Sequence, residues 1–412
     1  MVDLDKIRKV HFVGIGGIGV SAIARMMIGR GEKVTGSDAC ESEITEELAR
    51  LGAGIFIGHR AENIELPDLV IYTIAIPPSN PELAQARSLG ISCQSYPEIL
   101  GELTKKYFTI AVAGTHGKTT TTAMIAKIMI DAGLDPTVIV GSLLLEEGSN
   151  FIAGKSNYLV LEACEYRRSF LNLHPDIIVI TNIDNDHLDY YKDLNDIKSA
   201  FQEFEKRLKF GGKVIKSIKS IKSIKSIKLQ VPGKHNQENA RAALAVAKIL
   251  KIPESNARSS LENFQGTWRR FEYKGETRNG VSIYDDYGHH PTEIKATLAG
   301  AREMYPKSKI WVIFQPHLYS RTKILLSDFA QSFKDADEVI VTDIYAAREA
   351  FDPSIHAKDL VNAINKTKPK AKYIRDFIQI QKYLLEETRV GDLVITIGAG
   401  DVSKISDVLL LI

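Results

Sequence analysis

The run Ala111-Val-Ala-Gly-Thr-His-Gly-Lys-Thr-Thr-Thr-Thr122 is compatible with few folds. Apolar residues from Phe108 to Ala113 read as a buried strand, a glycine loop follows, and a helix opens near Lys118. Amides of such a loop point at one spot, and the helix N-terminus adds partial positive charge there, which makes an anion cradle. Lys118 can reach the β- and γ-phosphates of a nucleotide, and the Thr119 hydroxyl can hold Mg²⁺. The spacing G-x-x-x-x-G-K-[ST] is incomplete, because Val112 stands where the first glycine belongs and Gly114 comes two residues later. The order of strand, Gly-Lys-Thr and helix carries the reading. The bland alternative is a tight strand-to-helix turn with an exposed lysine.

A second glycine loop, Gly14-Ile-Gly-Gly-Ile-Gly19, follows the strand-like Val10–Val13 and precedes a helix of small residues from Ser21 to Ile28. Asp38 ends the next strand, nineteen residues beyond Gly19. This is the G-x-G-x-x-G arrangement of dinucleotide folds, in which the glycines let a pyrophosphate approach the backbone. By itself it suggests an NAD-dependent oxidoreductase. The phosphate loop at Gly117-Lys118-Thr119 argues against that class.

Short β-rich runs alternate with helical patterns almost throughout, so the fold class is α/β with parallel sheets. A chain of 412 residues exceeds one ordinary core, and two or three domains are expected. The expected boundaries are 1–106, 107–264 and 265–412: a Rossmann-like domain, a central P-loop domain and a second Rossmann-like domain. Net charge is +2 and no basic stripe carries interleaved aromatics, which argues against a nucleic-acid partner. Cys40, Cys93 and Cys164 fit a reducing compartment and show no zinc spacing. No apolar run approaches the length of a membrane span, and Met1–Lys6 lacks a leader pattern, so a cytoplasmic protein without membrane insertion is expected. Lys216-Ser-Ile repeats without interruption to Lys228. Its period of three suits neither a strand nor an amphipathic helix, and it reads as an exposed loop or irregular hairpin. A lysine-rich lipid or nucleic-acid patch is the minor alternative.

Further polar clusters follow strands. Glu162-Ala-Cys-Glu165 lies just past Tyr158–Leu161, where acidic residues beside a phosphate loop are placed to bind Mg²⁺. Asn182-Ile-Asp-Asn-Asp-His187 ends the strand Ile177–Ile180, and His187 could ligate a metal or touch a phosphoryl oxygen. His235-Asn-Gln-Glu-Asn239 opens an Ala-rich helix, where asparagines could read a base edge or simply cap the helix. Arg269-Arg270 could reach a phosphate or form a surface pair. Asp285-Asp-Tyr-Gly-His-His-Pro291 and Gln315-Pro-His-Leu-Tyr-Ser-Arg321 both follow strands, at the carboxyl edge where open α/β sheets bind ligands. Gly398-Ala-Gly-Asp401 ends the last strand there.

Together these motifs resemble the Mur ligases, in family order and over nearly the whole chain: Gly14–Gly19, Gly114-Thr-His-Gly-Lys-Thr-Thr120, Glu162–Glu165, Thr181–His187, His235-Asn236 with Asn239, Arg269-Arg-Phe-Glu272, Asp285–Pro291 and Gly398–Asp401. The His of Gly-Thr-His-Gly-Lys-Thr and the Asp-Asp-Tyr-Gly-His-His-Pro run point to the branch that adds L-alanine to UDP-N-acetylmuramate. The resemblance implies an ATP- and Mg²⁺-dependent ligation of peptidoglycan precursor synthesis, through an acyl phosphate. It implies UDP-sugar contacts at Gly14, Gly16, Gly17, Ile18, Gly19, Asp38 and His59. It implies ATP contacts at Gly114, Thr115, His116, Gly117, Lys118, Thr119, Thr120, Asn236, Asn239 and Arg270. Thr119, Glu162 and His187 are the implied metal residues, and Tyr287, His289 and Arg321 the implied amino-acid residues. Lys118, Glu162, His187, His289 and Arg321 carry the chemistry. UDP-N-acetylmuramate and L-alanine are the expected partners, and a monomer or weak homodimer the expected state.

Three departures stand out. The Lys-Ser-Ile repeat occupies a place where the family has a longer stretch of central domain, so trimming at 213–229 is expected. Leu318 replaces the first Arg of Gln-Pro-His-Arg-Tyr-Ser-Arg, which implies weaker amino-acid recognition. Gly17-Ile-Gly-Val20 replaces Gly-Ser-Gly-Met. A lysine after His187 of the kind some relatives carbamylate has no secure counterpart. The alternatives are a recycling ligase that attaches a preformed peptide, and a silent paralogue that senses a nucleotide sugar.

Overall fold

The computed structural model describes residues 3–146, 148–187, 190–216, 226–347, 349–367 and 370–411. The chain packs as two compact units, Met1–Lys228 with Glu238–Phe264, and Leu229–Gln237 with Gln265–Ile412.

The first unit contains two sheets. In the first, β1 (Lys9–Val13), β2 (Lys33–Asp38), β3 (Gly54–Ile57), β4 (Leu69–Tyr72) and β5 (Ser92–Ser95) run parallel in the order β3-β2-β1-β4-β5. β4 is a continuous apolar run, as a strand covered on both faces tends to be, whereas β1 and β2 carry the buried polar residues His11, Thr35 and Ser37. In the second sheet the strands are β6 (Phe108–Ala113), β7 (Thr137–Leu144), β8 (Ser149–Ile152), β9 (Tyr158–Glu162), β10 (Ile177–Ile180) and β11 (Lys213–Lys216). Their order is β11-β10-β6-β9-β7-β8, and β8 is antiparallel to β7. One apolar core runs through both layers, from Val10 and Phe12 to Phe170, Phe201 and Phe204.

Local chemistry sets the joints. Helix Tyr96–Lys106, which leads from the first sheet into β6, starts on a capping box. The Glu98 carboxylate accepts from the Ser95 amide at 2.7 Å and its hydroxyl at 2.6 Å, and Pro97 fits the first turn. Helix Lys118–Asp131 begins with four threonines, poor helix formers, all buried. Asn150, fully buried on β8, accepts from Arg25 Nη1 at 2.8 Å and donates to the Ser21 hydroxyl at 3.1 Å and to the Ile18 carbonyl. Arg25 forks onto Glu47 at 3.1 and 2.7 Å. The β7–β8 hairpin is thereby fastened to the helix that follows the first glycine loop, Ile18–Gly29.

In the second unit, β12 (Glu272–Glu276), β13 (Ser282–Asp286), β14 (Ile310–Phe314), β15 (Glu338–Val341), β16 (Lys370–Tyr373) and β17 (Leu393–Ile397) form a sheet in the order β12-β13-β17-β14-β15-β16. Only β12 is antiparallel among the described strands of this sheet. Each face carries its own apolar cluster.

The structure corrects several sequence expectations. Two of the sheets are mixed at an edge, rather than wholly parallel. Asp285 and Asp286 belong to β13 instead of following it, and Glu162 is the last residue of β9. Most of the Lys-Ser-Ile repeat, 217–225, lies outside the described residues. Its first lysine, Lys216, ends strand β11, and Ile227 near its end is buried, so neither is exposed loop.

Candidate active site

The phosphate loop between β6 and helix Lys118–Asp131 is braced from the end of β10. Thr115 donates its amide to the Asn182 carbonyl at 3.1 Å, and His116 its amide to Asn182 Oδ1 at 2.9 Å. Thr181 Oγ1 donates to the His116 carbonyl at 2.6 Å. Gly114 has φ +136°, and a Cβ there would fall 2.0 Å from Thr181 Oγ1, so only glycine fits. Thr115 and His116, expected at the nucleotide, therefore have their amides committed to Asn182. The first amides of the helix, Lys118 to Thr120, are those left for an anion. Asn239 lies against this loop, with Oδ1 2.6 Å from where a Gly117 Cβ would stand.

Lys118 Nζ donates to the carbonyls of Gly114 at 2.6 Å and Thr115 at 3.1 Å, and to Glu165 Oε1 at 3.0 Å. Burial works against its charge, but the Glu165, Cys164 and Glu162 groups outweigh it, and the ammonium titrates above its ordinary value. Glu162 Oε2 accepts from Thr119 Oγ1 and from the Gly141 amide, both at 2.9 Å. A hydroxyl and a carboxylate side by side at a phosphate loop are hard oxygen donors of the kind Mg²⁺ takes. His187 stands apart from that pair: its Nε2 is 3.7 Å from Glu165 Oε1 and 3.9 Å from Asp186 Oδ2, and its ring packs 4.7 Å from Tyr166. Lys118 and His187 thus share one carboxylate oxygen.

The first glycine loop spends its early amides on itself. Gly14 and Ile15 donate to the Ser37 carbonyl at 2.8 and 3.0 Å, Gly16 to Asp38 Oδ2 at 2.8 Å, and Gly17 to the Gly14 carbonyl at 3.2 Å. Asp38 Oδ1 accepts from Ala39 at 2.7 Å, so Asp38 organises the loop. The amides of Ile18, Gly19 and Val20 lie in the first helical turn, where N–H groups have no partner within the helix. His59 is brought beside Asp38's strand: its Nδ1 lies 2.9 Å from Ser37 Oγ and 3.3 Å from Glu82 Oε2. Burial alone would raise the Glu82 carboxyl, but contacts from His11, Ser37 and Asn63 outweigh it and hold it at about 2.

In the second unit, Tyr287, His289 and Arg321 come together as expected, with His317 joining them. The rings of Tyr287 and His289 are 5.5 Å apart, those of His289 and His317 5.6 Å, and Arg321 Nη1 is 3.2 Å from His317 Nδ1. Arg270 stacks over Tyr287 at 5.2 Å and lies 3.9 Å from Glu293. Its neighbour Arg269 is buried and structural, bonded to Asp285 at 2.6 Å and to the carbonyls of Gly398 at 2.6 Å and Gly400 at 3.0 Å. Asn236 Nδ2 donates to the Pro232 carbonyl at 2.8 Å. Burial raises Asp286 to about 6 despite Arg270 nearby, and burial lowers His235 to about 4. Leu318 is buried, with φ +69° at the start of helix Tyr319–Ile324.

Sequence patterns gave Tyr96 no role. A Cβ at Gly19 would fall 2.8 Å from Tyr96 Cζ, 2.9 Å from Cε1 and 3.0 Å from the hydroxyl. Burial, with Glu162 and Cys164 within electrostatic reach, pushes the phenol above its ordinary value. The available signal was Ser95-Tyr-Pro-Glu98, a capping box that starts a helix at the carboxyl edge of the first sheet.

Two glycine loops on separate α/β sheets, one organised by Asp38 and the other by a Lys–Thr–Glu set, define an enzyme that handles two phosphorylated ligands. The chain belongs to the Mur ligase family. Residues 9–108 match the Mur ligase family catalytic domain, 112–225 the Mur ligase middle domain, and 269–400 the Mur ligase glutamate ligase domain. It is 44% identical to the UDP-N-acetylmuramate–L-alanine ligase of Caldanaerobacter subterraneus subsp. tengcongensis over 98% of each chain. It is 43% identical to that of Alkaliphilus metalliredigens over 99% of this chain and 98% of the relative. The crystal structure of UDP-N-acetylmuramate–alanine ligase from Thermotoga maritima superposes with a TM-score of 0.84 at 31% identity, covering 98% of both chains. A murein peptide ligase from Psychrobacter arcticus shares the fold, with a TM-score of 0.70 at 24% identity over 98% of both chains. The Caldanaerobacter alignment runs over 452 positions, more than the 412 residues of this chain, so the relative carries residues absent here.

Proposed function

We infer that the chain joins L-alanine to the lactyl carboxylate of UDP-N-acetylmuramate at the expense of ATP. The observation that carries this reading is full-length similarity to L-alanine ligases, on a fold that retains both phosphate loops. A carboxylate is a poor electrophile. Attack of its oxygen on the γ-phosphorus breaks the bond to ADP and gives an acyl phosphate. The alanine amine then adds to the acyl carbon, and phosphate leaves as the amide forms.

Lys118 would exchange Glu165 for a phosphate oxygen and offset charge on the transferring group. Thr119 and Glu162 would hold Mg²⁺, which supplies charge neutralisation at the phosphates. His187 is read as orienting the Glu165 carboxylate that it shares with Lys118. Ile18–Val20 would receive the pyrophosphate of the sugar nucleotide, with His59 beyond it. Tyr287, His289 and Arg321 would receive the amino acid. No described helix is long and apolar enough to cross a membrane, which accords with a reaction in the cytoplasm. The recycling-ligase reading has no observation in its favour.

ADP release by the purified protein with UDP-N-acetylmuramate and a panel of amino acids tests the reading. L-Alanine should be turned over in preference to glycine, L-serine and a tripeptide. Preference for the tripeptide would overturn it.

A further inference from the structure

Tyr96 has a position that the loop-by-loop account leaves unused. It is the first residue of helix Tyr96–Lys106, at the carboxyl end of β5, and its ring fills the space over Gly19 that any larger residue would claim. Gly19 lies in the helical turn proposed to receive the sugar-nucleotide anion. The phenol is also within electrostatic reach of Glu162, the last residue of β9. Among the described residues its hydroxyl has no hydrogen-bond partner, and the residue is only partly buried, which leaves that hydroxyl open to a ligand. The ring packs against the apolar core shared by the two sheets of this unit.

We propose that the Tyr96 hydroxyl donates a hydrogen bond to an oxyanion of the sugar-nucleotide substrate, at the point where that substrate passes from the first glycine loop toward the transferring phosphoryl group. The inference rests on the ligase reading above. A phenol suits the position because it remains a neutral donor at physiological pH and adds no cation that would compete with Lys118 for the γ-phosphate. Two oxyanions of the substrate meet the requirement, a phosphate oxygen of the pyrophosphate and the lactyl carboxylate.

The test is Tyr96→Phe, which keeps the ring against Gly19 and removes only the donor. Its melting temperature should match the parent, and KM for ATP and for L-alanine should stay within about twofold. The kcat/KM for UDP-N-acetylmuramate should fall at least about tenfold, the size of one charge-assisted hydrogen bond. Calorimetric titration with UDP alone identifies the oxyanion. UDP binding weakened to the same degree assigns the bond to a phosphate, and unchanged UDP binding with a reduced kcat/KM assigns it to the carboxylate. Parent-like kcat/KM together with parent-like UDP affinity overturns the proposal. The UDP titration needs no turnover, so a parent protein that binds UDP but fails to ligate alanine would defeat the ligase reading and not the Tyr96 contact.

Discussion

Lys118 and Glu165 allow a sharp test of how the phosphate loop is held. Both are enclosed, and Nζ lies 3.0 Å from Oε1. At an effective dielectric of about 20, unit charges 3.0 Å apart attract by about 5–6 kcal/mol before desolvation is counted. Glu165 Oε2 has no hydrogen-bond partner among the described residues, so the carboxylate depends on Lys118 for most of its compensation. Removing one partner of a buried pair costs about 3–5 kcal/mol, because the other charge is left alone. Lys118→Met should therefore lower the melting temperature by roughly 6–20 °C, at about 2–4 °C per kcal/mol. Glu165→Gln should cost less, since the ammonium keeps the Gly114 and Thr115 carbonyls and the amide can still accept. The double variant should melt above Lys118→Met, by at least about 2–4 °C, because the stranded charge is gone. Turnover should fall at least about 10²-fold in Lys118→Met and stay low in the double variant. Calorimetry and ADP release measure the two effects separately. A double variant that melts at or below the Lys118→Met single would refute the stranded-charge argument.

Glu162→Ala should raise the Mg²⁺ concentration needed for half-maximal rate, at a stability cost of about 1–3 kcal/mol from the Thr119 hydroxyl and Gly141 amide left without their acceptor; an unchanged Mg²⁺ titration at normal rate removes it from the metal site. Leu318→Arg should destabilise by about 2 kcal/mol or more, since the new charge would enter a buried position, and KM for L-alanine should not improve. A stable variant with lower KM would restore the amino-acid role expected from sequence. The second unit contains two opposed titrations. His235, lowered to about 4, binds its proton less well when folded, so its contribution is lost as pH falls from about 6.5 toward 4. Asp286, raised to about 6, binds its proton better when folded, so its contribution is lost as pH rises from about 4 to 6. Between pH 4 and 6 the slopes, about 1.4 kcal/mol per unit each, oppose one another. His235→Gln should therefore leave a stability that falls as pH rises through this window, and Asp286→Asn one that rises; identical pH–melting curves for the two variants would refute the assignment.

The interior strands were legible because a parallel strand covered on both faces must be an apolar run, as in Ile177–Ile180, Ile310–Phe314 and Leu393–Ile397. Edge strands carry less of that signal. Ser92–Ser95 and Lys370–Tyr373 are largely polar, and Gly54–Ile57 is short. The hairpin of Thr137–Leu144 and Ser149–Ile152 went unread although Val138, Ile139, Val140, Leu143 and Leu144 are apolar, because its antiparallel return does not fit the alternating pattern. Both glycine loops were visible because phosphate binding needs particular residues at short spacing. The groups that shape them come from elsewhere: Asn182 from the end of β10, Asn239 from a later helix, Gly141 from the hairpin and Tyr96 from the helix between the sheets. Nothing local marks such partners, since their role depends on which elements the fold makes neighbours. Asp285 and Asp286 end β13 at the carboxyl edge that the motif suggested, and there they satisfy Arg269 and the amides of Phe271 and Gly288, partners no motif marks.

The hairpin also connects the two ends of the reaction. Asn150 grips the turn proposed to face the sugar nucleotide, and nine residues earlier Gly141 grips the carboxylate beside the proposed ATP loop. The position of Glu162 is therefore referenced to the first helix of the chain as well as to its own sheet. Occupancy at one end that shifts its grip must change the free energy of occupancy at the other, and such a change is equal in both directions. Whatever factor the sugar nucleotide applies to ATP affinity, ATP must apply to the sugar nucleotide, and Asn150→Ala should bring both factors toward one together.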